Sequence, residues 1–184
     1  MWRIDSVVLG LVSGAAAVGL YSLAVAASSV IWLPAEALTL SLYREAATLG
    51  ASSDQFLLRL RSLTRLCAAA TGLAAGVIFI VFAVCVNKYL PAFRSSVPLL
   101  LILCVGVVPA AVGRLLFAAA GLRQQRDLLW RFTAIGLTLC LLYVPACRWG
   151  GAAGAASVSV VIYVIVAYLF RSALGPSRTE SVAA

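Results

Sequence analysis

Ionisable residues inside long apolar stretches are the part of this sequence that could do chemistry. A charge in the hydrocarbon layer of a membrane costs at least a few kcal/mol, so such a residue is a candidate for binding an ion or a charged substrate. We predict that four residues line a substrate path: Arg3, Asp5, Glu36 and Arg114. Two prolines stand close by and predict helix kinks: Pro34, two residues before Glu36, and Pro109, five residues before Arg114.

Each of these charges also has a simpler interpretation. Glu36 is seven residues from the predicted cytoplasmic end of its span, where it could reach the interface or pair with an arginine. Arg114 is about six residues inside its span, so its long side chain could extend to the interface. It could instead face a central cavity and neutralise an anionic head group such as a pyrophosphate. Arg3 and Asp5 lie at a membrane surface if the chain begins at Met1, and within a span if residues precede it.

The residues that most enzymes use are missing from the sequence. It contains no histidine, which is the commonest general base and the commonest metal ligand. It also has no phosphate-binding loop, no G-x-S-x-G, no H-E-x-x-H and no carboxylate cluster. The five cysteines include no C-x-x-C pair, and we expect them to be reduced, with only Cys147 in contact with water. We therefore predict no enzymatic activity, no metal site and no cofactor.

The composition places the chain in a membrane. Of its 184 residues, 64% are apolar and only 11% are charged, against about 25% charged in soluble domains. The net charge of +8 fits basic cytoplasmic loops, so we expect the lipid bilayer and not nucleic acid as the partner.

Charge-free runs close to 20 residues predict an all-α, polytopic membrane protein with five full transmembrane helices and a truncated first helix. Glycines near the beginning of the first run divide it into a short piece, 2–12, and a full span, 18–43. The other predicted spans are 66–86, 97–120, 128–146 and 152–170. Residues 1–172 form the predicted bundle, and 173–184 form a polar tail that we expect to be disordered. The pair Gly72 and Gly76 predicts a helix-packing surface.

The lysines and arginines predict the orientation. Ten of them flank one side of the predicted bundle and three flank the other, with Arg3 left over. Cytoplasmic loops carry the excess of basic residues, which places the loops 44–65 and 121–131 and the C-terminus in the cytoplasm. Residues 45–66 have the pattern of a basic amphipathic helix, which could lie at the anionic inner leaflet or be a simple solvated connector.

Several ordered segments resemble a known family. They are RIDSVVLGLVSGAAAVGLYSLAVA at 3–26, WLPAEAL at 32–38, NKYLPAFRSSVPLLLIL at 87–103 and WGGAAGAASVSVVIYV at 149–164. In this order and spacing, with the basic connector after Tyr43, they are similar to the C-terminal lobe of polysaccharide and O-antigen flippases. These belong to the multidrug/oligosaccharidyl-lipid/polysaccharide exporter superfamily.

The resemblance implies a function in polysaccharide biosynthesis. Family members consist of two six-helix lobes around a central cavity, and move a polyprenyl-pyrophosphate-linked oligosaccharide across the cell inner membrane. We therefore expect a lipid-linked glycan as substrate, and a missing N-terminal lobe or a second copy of this chain as partner. Arg3 and Asp5 would then face the cavity from the truncated helix. The alternative is a truncated remnant that does not transport, or an assembly or interaction subunit.

Overall fold

We describe residues 4–51 and 53–173 from a computed structural model. Apart from one short 3₁₀ helix at Pro91–Phe93, the regular structure of these residues is α-helical. The helices are α1 (Ile4–Val30), α2 (Leu33–Leu49), α3 (Asp54–Tyr89), α4 (Ser96–Leu122), α5 (Arg126–Cys140) and α6 (Tyr143–Ala173). Four of them, α1, α3, α4 and α6, are long and apolar enough to cross a membrane. The prediction of an all-α fold is confirmed for the described residues, and the four long apolar helices fit the predicted membrane protein, while the count of five full spans and a truncated one stays a prediction.

Helix α1 turns back on itself at Gly14. That residue has φ 81° and ψ 174°, a conformation open to glycine and strained for other residues. The hydroxyl of Tyr21 nevertheless lies 2.6 Å from Oδ2 of Asp5, although residues sixteen apart in a straight helix are about 24 Å apart. The chain therefore forms a helical hairpin around Gly14. This confirms the predicted break between a short first piece and the next helix.

Helix α6 turns in the same way at Gly151, whose φ is 53°. Tyr143 and Ser159, again sixteen residues apart, have hydroxyl oxygens 2.7 Å from each other. A Cβ added at Gly154 would collide with the main chain of Ala146. Residues 143–150 and 152–173 are thus the two arms of a second hairpin.

Prolines separate two further pairs of helices. A proline ring clashes with the carbonyl four residues earlier, and α1 ends at Val30, four residues before Pro34. Pro145 stands four residues after Leu141, and a turn at Leu141 and Leu142 separates α5 from α6. The predicted spans 18–43 and 128–146 are therefore not continuous helices, which corrects that expectation. Pro109, by contrast, lies within α4 without ending it.

Helix α4 is the centre of the bundle. Its N-terminal half joins a core cluster with Leu9, Tyr21 and Cys147, which come from the two hairpins. Its C-terminal half joins a second cluster with Leu42 of α2 and Phe170 of α6. The two clusters thus occupy the two halves of α4.

Small residues bring α4 and α6 close together. A Cβ built at Gly106 would lie 2.7 Å from Cγ2 of Val160, and one at Gly113 would lie 3.6 Å from Cα of Ala167. Close approach over small residues is the common way for helices to associate in lipid. The predicted packing surface at Gly72 and Gly76 is only partly correct, because a Cβ at Gly72 would touch Val108 whereas Gly76 is exposed with no neighbour within 4 Å.

Candidate functional site

Arg114 of α4 and Glu36 of α2 form an ion pair. Nη1 of Arg114 donates a hydrogen bond to Oε1 of Glu36 at 3.1 Å. The residues are 78 positions apart in the sequence, so the contact depends on the packing of α2 against α4. The two side chains are 47% and 50% exposed, respectively. The pair is thus an accessible site on the side of the bundle and not a buried structural bridge.

Trp32 completes the surroundings of the arginine. Its ring lies in the turn between α1 and α2, and the Arg114 guanidinium carbon is 5.9 Å from the ring centroid. A cation over an indole face is attracted by about 0.5–1 kcal/mol at an exposed site. The break enforced by Pro34 places Trp32 and Glu36 on either side of the start of α2, so one local feature positions both partners of Arg114.

The ion pair lies at one end of an open groove between α2 and α4. The groove has a volume of about 580 Å³, within the range of small-molecule sites. Thr39, Leu40 and Tyr43 line it from α2, and Phe117, Ala118, Gly121 and Leu122 line it from α4. It extends from the ion pair to the C-terminal end of α4. The walls combine one charged pair with apolar and aromatic surface.

Arg114 retains hydrogen-bonding capacity toward this groove. A guanidinium has five N–H donors, and within the described part of the chain the one acceptor it contacts is Glu36, through a single N–H. An anion with two oxygens could take up two parallel donors, which is the strongest geometry an arginine offers. The arrangement is suited to holding a phosphate group at the side of a membrane-embedded bundle.

Asp5 lies in a different polar cluster, where the two hairpins meet. Oδ2 of Asp5 accepts the hydrogen bond from Tyr21, and Oδ1 accepts one from the backbone N–H of Ser6 at 2.8 Å. The hydroxyls of Tyr143 and Ser159 form the neighbouring pair. The Ser13 hydroxyl also donates to the carbonyl of Cys147 at 3.2 Å, so it links the first hairpin to the second. This hydrogen bond therefore connects the first hairpin, near its turn at Gly14, to the first arm of the second.

The predicted site residues thus separate into two places. The structure brings Arg114 and Glu36 together, while Asp5 belongs with the first core cluster through its bond to Tyr21. Arg3 lies outside the described residues. Of the two prolines predicted to mark kinks, Pro34 lies at the start of α2, next to a break between helices, whereas α4 continues through Pro109.

Sequence reasoning missed the uncharged members of both places. The sequence analysis gives no site role to Trp32, Tyr21 or Ser159. Their signal in the sequence is the isolated polar group in an apolar run, since a buried hydroxyl must find a hydrogen-bond partner. The prediction for Cys147 was wrong: it is 1% exposed, and Cys85 is the exposed one among the cysteines whose side chains are described.

No group of three or more metal-ligating side chains occurs within residues 4–51 and 53–173. In comparisons with known proteins, no family model, curated protein or solved structure matches this chain. The resemblance to flippases therefore depends on the sequence segments alone.

Proposed function

We propose that this chain is one lobe of a flippase that moves a polyprenyl-pyrophosphate-linked oligosaccharide across the cell inner membrane. The observation that carries the proposal is the accessible guanidinium of Arg114 in a groove between apolar helices. Such a guanidinium suits the pyrophosphate, and the apolar lining suits the polyprenyl chain. The segment resemblance described above is the second support.

The direction of the groove supports entry from the inner leaflet. It continues from Arg114 past Tyr43 to Leu122, at the end of the bundle where arginines accumulate. On the positive-inside rule that end is cytoplasmic, which also places the C-terminus there. A lipid-linked glycan in the inner leaflet would then enter the groove from its cytoplasmic end.

The two hairpins support the transmembrane arrangement of the family lobe. If the arms around Gly14 and Gly151 are counted separately, the first arm of α1 is a partial span, and α5 with the first arm of α6 makes one crossing. Counted in this way, and with α2 continuing the second arm of α1, the chain would have the five full spans and the truncated first helix that the sequence predicts. The groove would face a second lobe, provided by further sequence or by a second copy of this chain, and the two lobes would enclose a central cavity.

Substitution of Arg114 in the chromosomal gene tests the proposal in the protein as the cell makes it. We expect Arg114→Ala to reduce surface polysaccharide about tenfold or more, because the bond of a charged donor to phosphate contributes about 1.5–3 kcal/mol. The lipid-linked precursor should accumulate in the inner leaflet. Immunoblotting of membranes must show the wild-type amount of protein.

Arg123→Ala is the matched control, since Arg123 follows α4 at the same end of the bundle and does not line the groove. It should leave surface polysaccharide unchanged. Normal polysaccharide in Arg114→Ala cells would contradict the substrate-path assignment. Normal polysaccharide after deletion of the whole gene would favour the remnant or assembly-subunit alternative instead.

A further inference from the structure

The acidic partner of Arg114 raises a question that the proposed function leaves open. A groove that binds an anion gains from a free cation, yet Glu36 occupies the arginine with a charge of the same sign as a phosphate. A carboxylate and a phosphate next to each other on one guanidinium repel each other. Glu36 uses one of the five N–H donors, so the competition between the two acceptors comes from their like charges and not from a shortage of donors.

The geometry of the pair makes Glu36 replaceable. Its contact with Arg114 is a single hydrogen bond of 3.1 Å, between side chains that are each about half exposed. An exposed pair of this kind contributes little, whereas a bidentate phosphate contact is stronger. Trp32 also contacts the guanidinium through its ring face and can continue to hold it while the acceptor changes.

Resting on the proposed function, we infer that Glu36 is an exchangeable counter-ion of Arg114: it holds the arginine when the groove is empty, and the substrate's pyrophosphate displaces it. The exchange avoids an unpaired cation among apolar helices before substrate arrives. Because the substrate must break the ion pair, its binding is weaker by the free energy of that pair, and this favours release after transport. Glu36 is then a positioning residue whose removal tightens binding.

Binding to the full chain in nanodiscs of phosphatidylcholine tests this inference. The zwitterionic lipid offers no competing anionic head group, and the probe is geranylgeranyl pyrophosphate, with geranylgeraniol as the phosphate-free reference. We expect Glu36→Gln to bind the pyrophosphate about two- to fivefold more tightly than wild type, because the competing ion pair is gone. Affinity for geranylgeraniol should not change.

Glu45→Gln is the control, because Glu45 lies on the same helix but lines a separate groove with Arg59. Its affinity should equal that of wild type. Glu36→Ala is the second variant in case the glutamine amide bonds to Arg114, and it should tighten binding as well. Unchanged or weaker binding in both Glu36 variants would overturn the exchange.

The outcomes separate this inference from the proposed function. In one outcome, wild type binds the pyrophosphate better than the alcohol and Arg114→Ala abolishes this preference, but the Glu36 variants bind the pyrophosphate no more tightly than wild type. In that case only the exchange is wrong. If wild type binds the pyrophosphate no better than the alcohol, the site assignment fails, and the exchange fails with it.

Discussion

The hydroxyl of Tyr21 donates a 2.6 Å hydrogen bond to Oδ2 of Asp5 across the hairpin of α1. Tyr21 belongs to the first core cluster and has no exposed surface, and Asp5 beside it is partly buried. A hydrogen bond to a charged acceptor in such a place is stronger than one between neutral groups. This bond therefore holds the short first arm of α1 against the second.

Tyr21→Phe removes the hydroxyl and keeps the ring. We expect the free energy of unfolding to fall by about 1.5–3 kcal/mol, because the Asp5 carboxylate loses its donor in an apolar environment. Thermal unfolding in detergent, followed by circular dichroism, measures the change. Tyr168→Phe is the control, since Tyr168 is 70% exposed, and its midpoint should equal that of wild type. Equal midpoints for both variants would contradict a structural role for the bond.

Gly14→Ala tests the turn of the first hairpin. A Cβ at Gly14 would meet no atom within 4 Å, so any cost comes from the backbone conformation with φ 81°. We expect a loss of about 1–3 kcal/mol in the free energy of unfolding. Gly19→Ala also adds a methyl group in open space, but in regular helix, where alanine is the better residue. A Gly14→Ala protein as stable as Gly19→Ala would show that the chain does not turn at this residue.

Gly106→Ala tests the close approach of α4 and α6. The new methyl group would lie 2.7 Å from Cγ2 and 3.2 Å from Cα of Val160, so the two helices must move apart. Overpacking of this kind costs about 1–3 kcal/mol, visible as a lower unfolding midpoint. The matched variant is Gly76→Ala on α3, where the methyl group meets nothing, and its stability should be equal to or higher than that of wild type. The same loss in both variants would argue against the α4 and α6 contact.

Local breaks in this fold were predictable, and the contacts they create were not. Glycines predicted the turn at Gly14, and Pro34 predicted a break near the start of α2. Pro145 acts by the same steric clash, but it lies within the predicted span 128–146, and the sequence analysis does not predict its break. A proline alone does not predict such a break, because α4 continues through Pro109.

The pairing of the candidate site could not be obtained from spacing. Arg114 and Glu36 are 78 residues apart, and either could have reached the interface alone. Which of the possible partners an arginine meets depends on how α2 packs against α4 after the break at Trp32. The contact between Asp5 and Tyr21 could not be predicted for the same reason, because residues sixteen positions apart meet only if the helix turns back.

Photolabelling in membranes tests the central claim, that the groove beside Arg114 holds the pyrophosphate end of a lipid-linked glycan. Membranes from cells producing the full chain are irradiated with a polyprenyl pyrophosphate that carries a diazirine next to the phosphates, and labelled peptides are mapped by mass spectrometry. We predict labels on the groove-lining parts of α2 and α4, suppressed by excess unlabelled polyprenyl pyrophosphate and lost in Arg114→Ala. Labels spread evenly over the exposed faces of the helices, or unchanged in Arg114→Ala, would contradict the account.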